Sequence, residues 1–134
     1  MITLITGKKG SGKTKRLLDM CAAATKESNG NVVFLEKDNT LTYNLDHKTR
    51  LVALDEYGVS GFASLYGFIA GMCAGNYDIT DIFVDSTLKV GGTDMEELAA
   101  FVENLSRLNV KMVLSISADK SEIPARIAEY ATEI

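Results

Sequence analysis

The chain has 134 residues, enough for one α/β domain with a buried core and too few for a separate effector domain, so we expect residues 1–134 to form a single domain. Its formal net charge of −4 argues against broad, sequence-independent binding to nucleic acid. Cys21 and Cys73 have no C-x-x-C spacing and the N-terminus has no secretory pattern, which predicts buried thiols in a cytoplasmic protein.

The first feature along the chain is an apolar run, Ile2 to Thr6, that leads into a glycine-rich turn. This turn fits the pattern G-x-x-x-x-G-K-[ST] at every fixed position. A strand, a turn and a helix in this order direct backbone N–H groups and the positive end of the helix dipole at one point, which suits a polyphosphate. We therefore expect a bound nucleoside triphosphate to contact Gly7, Lys8, Lys9, Gly10, Ser11, Gly12, Lys13, Thr14 and Lys15.

Two side chains of this phosphate-binding loop have specific expected roles. Lys13 should reach the β- and γ-phosphates and act in catalysis, and Thr14 should offer its hydroxyl to Mg²⁺. The motif Asn-Lys-x-Asp of guanine-specific proteins does not occur in the sequence, so ATP is the expected nucleotide.

The segment after the loop predicts a helix and a strand. Leu17, Cys21 and Ala24 recur at helical spacing and predict a helix over Lys13 to Glu27. The strand Asn31 to Glu36 is apolar and ends in a charge, as parallel strands do where their carboxyl ends reach a site. Glu36 is therefore a candidate site residue.

A hairpin-like excursion is predicted next. Leu41, Tyr43 and Leu45 alternate with polar residues, a turn follows over residues 46–49, and Arg50 to Leu54 forms a strand at the edge of the sheet.

The segment from Gly58 to Tyr77 carries no charge and has glycines at G-x-x-x-G spacing, as some membrane helices do. A span here would place Lys13 and Asp85 on opposite sides of a bilayer. We therefore predict a helix over Ser60 to Ala74 that packs on the sheet, with its glycines permitting close contact.

Two acidic positions compete for the metal. Asp85 ends the apolar strand Asp81 to Asp85 after a full helical crossover, whereas Asp55 and Glu56 follow the predicted edge strand. We favour Asp85 as the Mg²⁺ acid, and Asp55 with Glu56 remains the alternative for the metal and the water.

The last part of the chain predicts a loop over Ser86 to Gly92 and then a helix opened by Thr93 as N-cap, with Glu96 completing a capping box. A strand over Val110 to Ser117 follows. Ser121 then caps a final helix that has Pro124 in its first turn.

Strands alternating with helices predict an α/β fold. We expect a three-layer sandwich in which helices cover both faces of a mainly parallel β-sheet, with ligands at the carboxyl ends of the strands.

The order of parts resembles the RecA-like ATPases of the P-loop nucleoside triphosphate hydrolase fold. The resemblance covers about the first 120 residues. The match lies in the loop Gly7 to Thr14, the strand ending in Glu36, a strand-plus-helix insert, and the segment Ile82 to Ser86. It implies that Glu36, or Asp38 in its place, polarises the attacking water. It also implies a polar sensor on the strand after the Mg²⁺ acid, where Ser115 and Ser117 stand.

The chain is also similar to small uncharacterised bacterial P-loop ATP-binding proteins, some of which are named after pilus-motor or twitching-motility ATPases. A pilus motor needs a large additional N-terminal domain and histidine motifs, whereas this chain has His47 alone, in a predicted turn.

The expected function is that of a Mg²⁺-dependent ATPase. No motif marks any arginine as a finger, so slow intrinsic hydrolysis is expected unless a protein partner or a second copy completes the site. The alternatives are a small-molecule or nucleotide kinase, and a nucleotide-dependent regulatory binding module.

Overall fold

The computed structural model describes residues 1–40 and 45–134. In these ranges six strands form one sheet in which every neighbouring pair is parallel, so the predicted α/β class is confirmed. The order across the sheet is β3-β2-β4-β5-β1-β6. The strands are β1 (Ile2–Thr6), β2 (Asn31–Glu36), β3 (Thr49–Ala53), β4 (Ile79–Val84), β5 (Lys111–Ile116) and β6 (Ala131–Glu133).

The α-helices of the described ranges are α1 (Lys13–Glu27), α2 (Phe62–Gly75), α3 (Thr87–Gly91) and α4 (Met95–Leu105). The bounds of α1 and β2 agree with the prediction, and those of β4, β5 and α2 differ from it by one or two residues.

Side chains alternate across the sheet, and its two faces pack against different helices. On one face Phe34 and Phe83 stack with ring centroids 6.4 Å apart and pack with Leu17 and Cys21 of α1. The opposite face packs against α2 and α4 through a larger cluster that includes Val33, Leu35, Ile82, Val84, Leu65, Ile69, Leu98 and Val102. This arrangement is consistent with the predicted three-layer sandwich.

The edge position predicted for the third strand is confirmed, because β3 pairs only with β2 among the described strands, and in parallel. The predicted turn before it is also present, since the Thr49 N–H donates to the Asp46 carbonyl over 2.9 Å. Leu41 and Tyr43, in the first arm of the predicted hairpin, lie outside the described residues.

The glycines of α2 do not have the role that we predicted. A Cβ added at Gly67, Gly71 or Gly75 would meet nothing within 4 Å, so these glycines make no close contact with the sheet. Large apolar side chains such as Leu65 and Ile69 make the contact instead. Among the described residues no helix is long and apolar enough to cross a membrane.

Three predictions about the last part of the chain are wrong. The predicted loop Ser86 to Gly92 contains α3, and the N-cap of α4 is Asp94 rather than Thr93, because the Asp94 carboxylate accepts from the N–H groups of Glu96 and Glu97. In place of a final α-helix capped by Ser121, two 3₁₀ helices, Lys120–Glu122 and Ala125–Tyr130, lead to β6. The cap of the first is Asp119, and β6 pairs with β1.

The two thiols differ in environment, although we predicted that both are buried. Cys21 on α1 is fully buried, whereas Cys73 on α2 is partly exposed. Burial raises the pKa of Cys21 to about 11, and hydrogen bonds from Thr25 and Thr49 only partly offset this shift. Burial also raises the pKa of Cys73.

We expect Cys73 to react with a disulfide reagent at pH 8 well before Cys21, whose thiolate fraction is then only about one in a thousand. In the Cys73→Ser protein no thiol should react rapidly with the reagent. Rapid labelling of that variant would contradict the burial of Cys21. Because burial raises the pKa of Cys21 above the ordinary value of 9.0 for a thiol, its contribution to the free energy of unfolding should be lost as pH rises from about 9 towards 11.

Candidate phosphate-binding site

The backbone between β1 and α1 forms a tight loop that depends on glycine. Gly12, the N-cap of α1, has φ 92°, and Gly7 has φ 152°. A Cβ at Gly7 would also stand 2.5 Å from Ile134 Cγ2 and 2.6 Å from Ser11 Oγ. Ile134 is held there because its N–H donates to the Thr6 carbonyl over 2.9 Å, so the strand β6 and the loop constrain each other.

Lys13 begins α1 and turns back over the loop. Its Nζ donates to the Lys8 carbonyl over 2.7 Å and to Ser11 Oγ over 3.3 Å, and the residue is only 6% exposed. Burial lowers the pKa of Lys13, and the negative charge of Asp85 acts in the opposite direction. An anionic phosphate near this ammonium group would stabilise its charged form.

Asp85 follows β4, and β5 lies between β4 and the strand β1 that leads into the loop. The Asp85 carboxylate nevertheless contacts the loop residue Thr14. Thr14 Oγ1 donates to Asp85 Oδ1 over 3.1 Å, and Ser115 Oγ of β5 donates to the same oxygen over 3.0 Å. The Ser86 N–H in turn donates to Ser115 Oγ over 2.7 Å. Asp85 and Ser115 are both buried, so this chain of hydrogen bonds holds the carboxylate beside the hydroxyl of the loop.

The oxygens of Thr14 and Asp85 fit a magnesium site in their chemistry. Mg²⁺ usually takes one or two protein oxygens and completes its shell with water and substrate phosphate. In residues 1–40 and 45–134 no group of three or more His, Cys, Asp or Glu side chains forms a cage for a metal. A hydroxyl and a carboxylate next to a phosphate loop are therefore the candidate donor set.

A cavity of about 380 Å³ lies over the loop. The loop and the start of α1 contribute Lys9, Gly10, Gly12, Lys13 and Thr14 to its lining. The facing wall consists of Ser86, Leu88, Lys89, Ser115 and Ser117. The volume lies within the range of sites that hold small molecules.

Glu36 is the last residue of β2 and lies at the same carboxyl edge of the sheet as Asp85. Leu35 and Val84, the residues before Glu36 and Asp85, are partners in the parallel pair β2–β4, so the two acids follow neighbouring positions at the carboxyl edge. Glu36 is 3% exposed, and its Oε1 accepts from the Thr40 N–H over 3.0 Å and from Thr40 Oγ1 over 2.9 Å. Its side chain thus has a defined position, whereas Asp38 is exposed.

The alternative acids lie at the edge of the sheet. Asp55 and Glu56 are in the 3₁₀ helix Leu54–Tyr57 that follows β3, and β2, β4 and β5 separate β3 from β1. Asp55 pairs with Lys37 over 3.0 Å, with its side chain 49% exposed. In contrast to Asp85, neither acid is among the residues in contact with Thr14 or around the cavity.

Three lysines of the predicted contact set differ in environment. The Lys15 side chain is 83% exposed and pairs with Asp19 over 3.1 Å, so its backbone N–H at the start of α1 is the group available to a phosphate. Lys8 is exposed and contributes its carbonyl to Lys13, and Lys9 lines the cavity.

Sequence reasoning placed the segments Asp38 to Arg50 and Ser86 to Gly92 at a possible acceptor pocket, but it did not single out Thr40, Lys89 or Ile134. Their contacts depend on α3, on β6 and on the turn after β2, and no motif marks them. Ser115 was considered as a sensor, but its described contacts are with Asp85 and the Ser86 backbone.

No protein-family model matches the chain, and no curated protein matches its sequence. The geometry of the loop, of Asp85 and of the cavity is therefore the basis for a functional proposal.

Proposed function

We propose that this protein is an ATP-binding P-loop protein of the RecA-like type that hydrolyses ATP slowly with Mg²⁺. The observation that supports this proposal best is the 3.1 Å contact between Thr14 Oγ1 of the loop and Asp85 Oδ1. This contact brings together a glycine-rich loop and an acidic residue from two segments that are far apart in the sequence, and phosphoryl transfer requires such a pair.

The strand order gives a second line of support. A RecA-like arrangement requires the strand after the Mg²⁺ acid to lie between the first strand and the strand that carries the acid. In the sheet β5 lies between β1 and β4, and its Ser115 contacts Asp85.

The residues of the loop would bind and orient the triphosphate. Backbone N–H groups at the start of α1 and the ammonium of Lys13 would hold the β- and γ-phosphates in the cavity. Thr14 would bind Mg²⁺ directly and Asp85 through water, and Mg²⁺ when bound neutralises charge on the phosphate oxygens. Glu36 would orient the water for in-line attack, with its carboxylate held by Thr40.

The position of the arginines supports the proposal of slow turnover. In the described part of the chain no arginine lines the cavity. Arg126 forms ion pairs with Glu96 over 2.8 Å and with Glu103 over 3.0 Å. An arginine supplied by a partner or a second copy is worth about 10³- to 10⁵-fold in rate in related chemistry. Association with a protein partner or as a homo-oligomer would therefore control activity.

The direct test is titration of the protein with ATP and Mg²⁺ in a calorimeter, followed by measurement of phosphate release. We expect binding, and release of phosphate to water without an acceptor. Transfer to an added small-molecule acceptor instead of water would indicate a kinase, and tight binding without turnover would indicate a regulatory module. A protein that binds no purine triphosphate would contradict the proposal.

Asp85→Asn is expected to reduce ATP turnover by about 10- to 100-fold and to raise the Mg²⁺ concentration needed for half-maximal rate, because the amide lacks the charge that orients the metal shell. Asparagine has nearly the same size and retains an acceptor for Thr14 and Ser115. Asp81→Asn, on the same strand β4, is the matched control. An equal Mg²⁺ dependence of the two variants would argue against the metal role of Asp85.

A further inference from the structure

We propose that Lys89 contacts the terminal phosphate of the bound nucleotide and thereby discriminates ATP from ADP. This inference rests on the proposed function, because it assigns a ligand to the wall that faces the phosphate loop. Lys89 is an exposed residue of α3 and lines the same cavity of about 380 Å³ as Lys13 and Thr14.

Lys89 is the cationic residue of the cavity wall that faces the loop. The other two lysines of the cavity, Lys9 and Lys13, belong to the loop and the start of α1. In the described part of the chain Lys89 has no ion-pair partner, in contrast to Lys15 and Lys37, which pair with aspartates. A nucleotide whose inner phosphates lie on the loop would extend its outermost phosphate towards this wall.

The backbone that carries Lys89 is anchored on both sides. The Gly61 N–H, just before α2, donates to the Val90 carbonyl over 2.8 Å, and the Val90 side chain is buried. At Gly91 a Cβ would overlap the ring of Phe62, so α3 packs directly on the first residue of α2. The backbone of Lys89 therefore has a fixed support at the cavity wall.

Two locally unfavourable features, a strained backbone and a buried hydroxyl that is unpaired in the described part of the chain, show that the position of α3 is maintained by its surroundings. Ser86, with φ 52°, is the non-glycine residue with positive φ in the described chain, directly between Asp85 and α3. Thr87 is fully buried, and its Oγ1 has no hydrogen-bond partner among the described residues. Such features concentrate at functional segments, where the surrounding structure maintains a geometry that the local chain disfavours.

A contact between the Lys89 ammonium and the terminal phosphate predicts that the protein binds ATP more tightly than ADP. A charge-assisted contact between an ammonium and a phosphate oxygen in a partly open cavity corresponds to about tenfold in affinity. Because ADP lacks the terminal phosphate, loss of Lys89 should weaken binding of the triphosphate alone.

The experiment compares Kd values for ADP and for a non-hydrolysable β,γ-imido analogue of ATP, both with Mg²⁺, by calorimetry. For Lys89→Ala we expect about tenfold weaker binding of the analogue and an ADP affinity within about twofold of the parent protein. Lys89→Arg should retain the discrimination. Lys111→Ala, at the amino end of β5, removes the same charge elsewhere and should change neither value.

The outcomes separate this inference from the proposed function. A parent protein that binds neither nucleotide overturns both. A parent protein that binds both, with a Lys89→Ala variant that loses affinity for neither or for both equally, overturns the role of Lys89 alone. Thermal unfolding of each variant identifies any loss of folding, and in that case Lys89→Gln, which keeps the length of the side chain, replaces the alanine variant.

Discussion

Replacement of Lys13 by alanine is expected to lower the affinity for ATP by about 10- to 100-fold, because charge-assisted hydrogen bonds contribute about 1.5–3 kcal/mol each. Turnover should fall by a further ~10²- to 10³-fold, since the same ammonium would stabilise charge that develops in the transition state. Calorimetry with Mg²⁺ and ATP measures the first effect, and phosphate release at saturating ATP measures the second.

The fold should survive this substitution. Because burial lowers the pKa of Lys13, the folded state binds this proton less tightly than the unfolded chain does, and the charged side chain opposes folding at neutral pH. The thermal midpoint of Lys13→Ala should therefore not fall by more than a few degrees. Lys26→Ala, in the last turn of the same helix, is the control. Unchanged ATP affinity in the Lys13 variant would contradict the assignment of the loop.

The loop, α1 and β2 could be predicted from the sequence because their signals are local. The glycines and Lys13 occur at fixed spacing, and Leu17 and Cys21 mark the buried face of α1 within a single helix. The pairing of Thr14 with Asp85 was a chemical expectation, and the strand order that makes it possible became visible only in the folded chain.

The wrong predictions came from places where local signals allow two readings. Thr93 and Asp94 are adjacent cap residues, each with a glutamate three positions later, and the structure uses the second. Ile123 precedes proline and is extended, with ψ 128°, so the turn capped by Asp119 could not continue into an α-helix. The short strand β6 has no apolar pattern of its own and forms by pairing with the edge of β1.

The helices α2 and α3 show that tertiary contacts decide what composition leaves open. The glycines of α2 suggested close packing, but the contact with the sheet is made by Leu65 and Ile69. Five residues are too few to form a stable helix alone, and α3 forms where Val90 and Thr87 are buried. No local pattern therefore singles out Lys89 within the segment Ser86 to Gly92.

Glu36→Gln is expected to leave the affinity for ATP within about twofold while it lowers turnover by about 10²-fold or more, the range for loss of a group that orients or accepts a proton from the attacking water. Glutamine has the same length and retains an oxygen that can accept from Thr40. Single-turnover phosphate release at saturating ATP and Mg²⁺ separates this chemical step from binding.

The comparison that decides between the candidate acids uses the same assay on Asp38→Asn, Asp55→Asn and Glu56→Gln. Asp38 is exposed, and Asp55 is paired with Lys37 at the sheet edge, so neither substitution should slow hydrolysis by more than about twofold, the range of an exposed ion pair. Of these four acids, Glu36 alone lies at the end of a strand paired with β4, next to the end that carries Asp85. If Asp55→Asn slowed the reaction as much as Glu36→Gln, the attacking water would have to lie near β3. The strands β2, β4 and β5 would then lie between this water and β1, which carries the phosphate-binding loop. Because β3 is the edge strand and is not adjacent to β4 or β1, such a result would move the site itself as well as the base.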